Sequence, residues 1–222
     1  MIIALTGFMG SGKSSVGREL STLLGLPVVD LDRYIEQRSG LRIPEIFALS
    51  GESAFRDLET AALSELLFGG STPQNVLRTP SPPSFERSEG IIRCPAEAVC
   101  NERPGAPVWR EPVRRAEGGT VLRGTSPERS FILSLGGGAI LRKENAEMIR
   151  EKCKCVFLRA SAETLRLRLR GEQANRPLLK GGGFEALLEE RTPLYTAAAD
   201  IIVDTDTLTP MQIAGVIANL IS

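Results

Sequence analysis

The chain has 222 residues, 27 of them basic and 27 acidic, so the formal charge balances and gives no electrostatic argument for nucleic-acid binding. Histidine is absent, which excludes His-based triads and His metal sites and leaves any general base to a carboxylate or another group. No apolar stretch approaches membrane-spanning length, the start runs straight into a strand with no room for a secretory signal, and four cysteines make no disulfide framework, so a cytoplasmic protein is expected.

The apolar run Ile2-Ile3-Ala4-Leu5 predicts a strand over 2–6, and the spacing from Val16 to Leu24 predicts a helix over 13–24. Between them, Gly7-Phe8-Met9-Gly10-Ser11-Gly12-Lys13-Ser14 fits G-x-x-x-x-G-K-[ST]. Strand, glycine loop and helix in that order are the context a phosphate-binding loop requires. Successive backbone N–H groups across Gly10, Ser11, Gly12, Lys13, Ser14 and Ser15 then face an anion, and the helix N-terminus adds its positive end. Lys13 is expected to reach the β- and γ-phosphates of a nucleoside triphosphate, with the Ser14 hydroxyl on Mg²⁺.

A strand follows at 27–30, then helices near 32–39, 43–50 and 52–67. Asp30 and Asp32 fall at the strand end, where alternation puts both on one side of an extended segment. One carboxylate suits Mg²⁺ and the other suits a substrate hydroxyl, although Asp32 also suits a helix N-cap. Arg56 and Glu59 share a helix face at i and i+3. A held guanidinium fits a substrate carboxylate, while the pair taken alone reads more readily as a surface ion pair.

Composition changes between 69 and 130. This stretch holds nine of the chain's 14 prolines and nine arginines with no lysine, without helical or strand periodicity. It reads as a disordered Pro/Arg-rich insertion with no identifiable partner, leaving 160 residues for one domain over 1–68 and 131–222.

The regular pattern resumes with a strand at 131–135, which ends in Gly136-Gly137-Gly138, a run that permits close ligand approach or simply a tight turn. Helix 143–152, strand 155–158 and helix 161–170 come next. The polar, glycine-bounded segment 171–183 reads as a lid carrying Arg176, suited to charge stabilisation during phosphoryl transfer. Helix 184–192 is predicted to carry Arg191 in its last turn, in Arg191-Thr192-Pro193-Leu194-Tyr195, and strand 200–203 and helix 209–221 close the chain. This βα alternation predicts an α/β fold of the P-loop NTPase type: three α/β/α layers around a mostly five-stranded parallel sheet. The motifs at Gly7, Asp30 and Gly136 all follow strands, so they converge on one site at the sheet's carboxyl edge.

Taken together and in this order, these clusters resemble the shikimate kinase family. The loop at 7–14 looks like that family's nucleotide loop, and the run DLDRYIEQRSGLRIPEIFALSGESAFRDLE from Asp30 to Glu59 looks like its shikimate-binding region. SLGGGAI, NRPLL and RTPLY are similar to its remaining signatures. The resemblance implies that Lys13, Asp32 and Arg176 serve catalysis, Asp32 as the proposed base, and that Ser14 and Asp30 hold Mg²⁺. It implies substrate contacts from Arg56, Gly137, Gly138 and Arg191, with Glu59 orienting Arg56, and adenine flanked by Arg170 and Pro210. The implied reaction moves the ATP γ-phosphoryl group to the 3-hydroxyl of shikimate, a step toward chorismate and the aromatic amino acids, in a monomer that needs neither nucleic acid nor membrane. A gluconate-type kinase is the alternative enzyme, and a catalytically dead relative the alternative class; the Asp30–Glu59 run and triple glycine favour shikimate, and no key residue is missing.

Overall fold

The computed structural model describes residues 1–69, 87–88, 91–92, 130–170 and 183–221. Five strands form one parallel sheet: β1 (Ile2–Thr6), β2 (Val28–Asp30), β5 (Phe131–Ser134), β6 (Cys153–Arg159) and β7 (Ile201–Asp204), in the order β2-β5-β1-β6-β7. A separate two-residue antiparallel ladder pairs β3 (Arg87–Ser88) with β4 (Ile91–Ile92). The expected α/β fold with a five-stranded parallel sheet is the one observed.

β1 sits at the centre, with Ile2 opposite Phe131 on one side and Cys153 on the other. Its side chains alternate between two cores, as the pleat requires. Ile3 and Leu5 pack with Val16, Leu20, Ile213 and Ile217, so α1 (Lys13–Leu24) and α7 (Pro210–Ile221) cover one face. Ile2 and Ala4 join the opposite core. That face is covered by α2 (Leu31–Ser39), α3 (Ile43–Phe68), α4 (Lys143–Lys152), α5 (Ala162–Leu169) and α6 (Phe184–Ala198). Every described residue of β1 and β5 is buried, which explains why both read as unbroken apolar runs rather than as alternation.

Three elements differ from expectation. The two helices predicted at 43–50 and 52–67 are one continuous element with a kink at Gly51, which has φ 77° and ψ 178°. Only glycine takes that conformation without strain, so the break was read correctly and the separation was not. Asp30, rather than Asp32, caps α2: its carboxylate accepts from the Arg33 N–H at 3.2 Å. The strand stops at Asp30 and the helix starts at Leu31, so Asp32 already lies in the first turn and the extended alternation does not reach it.

The third difference is α6, predicted to stop at 192, which runs through Pro193 to Ala198. A mid-helix proline removes a hydrogen bond and costs about 3 kcal/mol. Burial of Tyr195 and Ala198 offsets that cost, and Thr192 Oγ1 donates to Leu188 O at 2.6 Å beside the break. Arg191 is therefore inside the helix and buried, not at an exposed end. Most of the 69–130 segment and nearly all of 171–183, Arg176 included, lie outside the described residues.

Candidate active site

A cavity of about 480 Å³ opens at the carboxyl edge of β1, β2 and β5. Its floor is the loop from Met9 to Ser15. The loop turns into α1 at Gly12, whose φ of 95° starts the helix so that its free N–H groups point at the cavity. Lys13 Nζ donates to the carbonyls of Gly7 at 2.8 Å and Phe8 at 3.0 Å, folding the lysine back over the loop. Phe8 anchors the loop from below, edge-on to Phe184 with ring centroids 5.4 Å apart.

The far wall of this cavity includes Leu208 from the turn before α7, Pro210 and Ile213 from its start, and Arg168 and Leu169 from the end of α5. Arg168 donates to Thr205 O at 2.6 Å, to Thr205 Oγ1 at 3.1 Å and to Ser11 O at 3.4 Å. One guanidinium thus ties the phosphate loop to the β7–α7 turn. Pro210 lines the cavity. Arg170, expected beside it, is the exposed C-cap of α5 and the last described residue before 183, and Arg168, two residues earlier, lines the cavity.

Asp30 and Asp32 line the same cavity, next to Lys13 and Ser14. Burial, then the neighbouring Asp30 charge, raises the Asp32 carboxyl above its ordinary value, against the lowering pull of Lys13. A Mg²⁺ ion binds hard oxygens and keeps waters and substrate phosphates in its shell, using only one or two carboxylates. Among the described residues no three acidic, cysteine or histidine side chains gather as a cage. The Ser14 hydroxyl with the crowded Asp30–Asp32 pair therefore fits Mg²⁺ bound together with a phosphate, and does not fit a metal held by protein alone.

Beyond the triple glycine lies a second group of charges. Glu59 is fully buried on α3, and its Oε2 accepts from Arg56 Nη1 at 2.9 Å; exposed Glu52 Oε1 takes Arg56 Nη2 at 3.1 Å. The Arg56–Glu59 pair is not a surface ion pair, since the two side chains are 15% and 1% exposed. Glu59 Oε1 is buried with no hydrogen-bond partner among the described residues. Burial raises the Glu59 carboxyl, with Arg56 pulling it down and Asp32 pushing it up.

The glycines make this arrangement possible. A Cβ added at Gly138 would run into the Arg56 guanidinium. One added at Gly136 would stand 2.6 Å from an Asp32 carboxylate oxygen and 3.1 Å from Glu59 Oε1. The turn thus lies between the carboxylate pair of the cavity and the guanidinium on α3. On its other side, Tyr195 of α6 donates to Gly137 O at 2.5 Å, and the buried Arg191 one turn earlier bears on the tyrosine hydroxyl. Lys13, Ser14, Asp30, Asp32, Arg56, Glu59, Gly137, Gly138 and Arg191 are thus gathered around one edge of the sheet.

A family model described as shikimate kinase matches residues 9–79 and 111–222. The chain belongs to the shikimate kinase family. A shikimate kinase from Bordetella pertussis is 32% identical over 99% of this chain and 76% of its own length. One from Dictyoglomus turgidum is 31% identical over 92% of this chain and 87% of its own. Among solved structures, a shikimate kinase from Acinetobacter baumannii in complex with shikimate superposes with a TM-score of 0.66, at 28% identity, covering 99% of this chain and 92% of that one.

Within this shikimate kinase fold, sequence reasoning missed Arg168 and Tyr195. Arg168 sits in Leu-Arg-Leu-Arg-Leu-Arg, where three arginines alternate and only the three-dimensional path of α5 selects one. Tyr195 had a signal, being four residues after Arg191 and hence on the same helix face, but the expected end at 192 hid it.

Proposed function

We propose that this protein transfers the γ-phosphoryl group of ATP to the 3-hydroxyl of shikimate, releasing shikimate 3-phosphate and ADP. The supporting observation is the meeting, around the Gly136–Gly138 turn, of a phosphate loop, a partly buried carboxylate of raised pKa and a guanidinium held by buried Glu59. A phosphate loop alone is common to many nucleotide enzymes. A small hydroxylated acid is what needs the other two groups: an arginine for its carboxylate and a carboxylate for its alcohol.

In this reading the loop amides from Gly10 to Ser15 bind the phosphates, and Lys13 leaves the Gly7 and Phe8 carbonyls to neutralise the β- and γ-oxygens. Ser14 and Asp30 hold Mg²⁺, which when bound supplies positive charge to the phosphates. Arg168 and Pro210 flank the adenine side of the cavity. Arg56 and Arg191 grip the shikimate carboxylate, and the amides of Gly137 and Gly138 fix the ring. Asp32 accepts the 3-hydroxyl proton as that oxygen bonds to the γ-phosphorus and the bond to the β,γ-bridging oxygen breaks. Its raised pKa suits it to that task, because a more basic carboxylate takes the proton more readily. Arg176, from the segment outside the described residues, is proposed from sequence to add charge over the transferring group.

All these groups belong to one chain, so the reading needs no second copy and we take the enzyme to act as a monomer. A cytoplasmic site of action suits the unpaired, buried thiols of Cys153 and Cys155, and no described helix is long and apolar enough to cross a membrane. The test is ADP release by the purified full-length chain with ATP and Mg²⁺, offered shikimate or gluconate. Turnover is expected with shikimate alone; turnover with gluconate alone would overturn the assignment.

A further inference from the structure

The largest fully buried side chain of the described fold is Tyr195. A buried phenol needs a partner, and this one donates to a backbone carbonyl of the triple-glycine turn, Gly137 O, at 2.5 Å. The neighbouring carbonyls are used differently: Gly136 O accepts from Ala139 N and Gly138 O from Leu141 N, both within the turn itself. Tyr195 therefore fixes the triple glycine from α6, while Asn145 of α4 donates to Ala139 O at 2.9 Å just beyond it. The Arg191 guanidinium acts on the same tyrosine hydroxyl by charge and hydrogen bonding. Its ring is held against Phe157 of β6, with centroids 5.3 Å apart.

Gly137 in turn is close to the phosphate loop. A Cβ there would lie 3.9 Å from Gly7 O, from Met9 N and from Tyr195 Oη alike. The tyrosine oxygen thus stands where three pieces meet: the arginine of α6, the glycine turn after β5, and through that turn the nucleotide loop. We infer that the Tyr195 hydroxyl is the joint that holds Arg191 and the Gly136–Gly138 turn in mutual register, and thereby positions the acceptor against the phosphate loop. It is a positioning residue and touches no reacting atom. The inference rests on the shikimate reading above, since it takes Arg191, Gly137 and Gly138 to be acceptor contacts.

Tyr195→Phe keeps the ring and its packing on Phe157 and removes the oxygen alone. The joint predicts a shikimate KM raised about tenfold, the scale of one lost hydrogen bond, with the ATP KM within about twofold of wild type. It also predicts faster amide hydrogen exchange across 136–141 in the variant without nucleotide or acceptor. A purely structural tyrosine would instead lower Tm while leaving the two KM values in their wild-type ratio, and that result overturns the inference. So does unchanged exchange across 136–141. Wild-type turnover of shikimate, measured alongside, separates the two ideas. If wild type fails to phosphorylate shikimate, the functional assignment falls, and the exchange measurement by itself still decides the joint.

Discussion

The two halves of the site are built in opposite ways. The nucleotide half is nearly continuous in sequence: β1, the loop and α1 occupy Ile2 to Leu24, and hydrogen bonds such as Ser11 N to Phe8 O and Val16 N to Gly12 O close it on itself. The acceptor half is collected from α2, α3, the turn after β5 and α6, segments more than 150 residues apart. The first half presents backbone amides, which cost little to leave facing water. The second holds charges away from water, and Arg56 and Glu59 depend on each other across a turn of α3. Local geometry can build an anion site, whereas selective grip on a small acid needs tertiary assembly.

That contrast makes the two halves separable by mutation. The largest expected effect is at the carboxylate shared between them. Asp32→Asn should lower kcat by about 10²- to 10⁴-fold, the range for losing a positioned general base, in the ADP-release assay. It should also raise Tm at neutral pH. The folded state raises the Asp32 pKa, so this group's favourable contribution is complete below its unfolded value and is lost as pH rises through the folded one. The gap in Tm between variant and wild type should therefore open with rising pH and close near about pH 4. A variant less stable than wild type at neutral pH would contradict the raised pKa.

Next is Arg56→Ala, which removes the guanidinium and strands Glu59. We expect the shikimate KM to rise about 100-fold, since charge-assisted bonds are the strong ones, with the ATP KM within about threefold. Equal increases in both constants would erase the division between halves. Arg168→Met tests it from the other side: because this arginine bonds Thr205 and Ser11, the ATP KM should rise about tenfold while the shikimate KM stays near wild type.

The smallest effect is expected from removing residues 80–110, which the family model leaves unmatched. The chain returns to the sheet at Phe131, paired with Ile2 at the amino edge, and the cavity lies at the carboxyl edge. Activity and both KM values should stay within about threefold, because loop-closure cost changes slowly with length. A loss of one substrate's binding alone would show which half the segment serves.

Much of this was legible in the chain itself. Strand 2–6, helix 13–24 and helix 143–152 have the predicted bounds, and the loop between the first two is where its glycines and lysine put it. Each of these depends on spacing and backbone conformation within a turn or two, which a sequence states directly. The exchange of Asp32 for Asp30 as helix cap was not legible, because both residues suit an N-cap and the end of β2 pairing with Ser134 decides which is used. Nor was the continuation of α6 through Pro193, since a local penalty was outweighed by burial of Tyr195 against Phe157.

The sequence by itself determined that this chain binds a nucleotide phosphate, that carboxylates and arginines accompany it, and that strands and helices alternate into a parallel sheet. Only the tertiary structure decided that Arg56 lies over Gly138, that Arg168 lines the cavity and bonds Ser11, and that Tyr195 meets Gly137. The physical reason is one of range. A phosphate loop is a property of eight adjacent residues, whereas a buried charge or phenol is stable only where a distant segment brings its partner, and strand order, not sequence order, brings it.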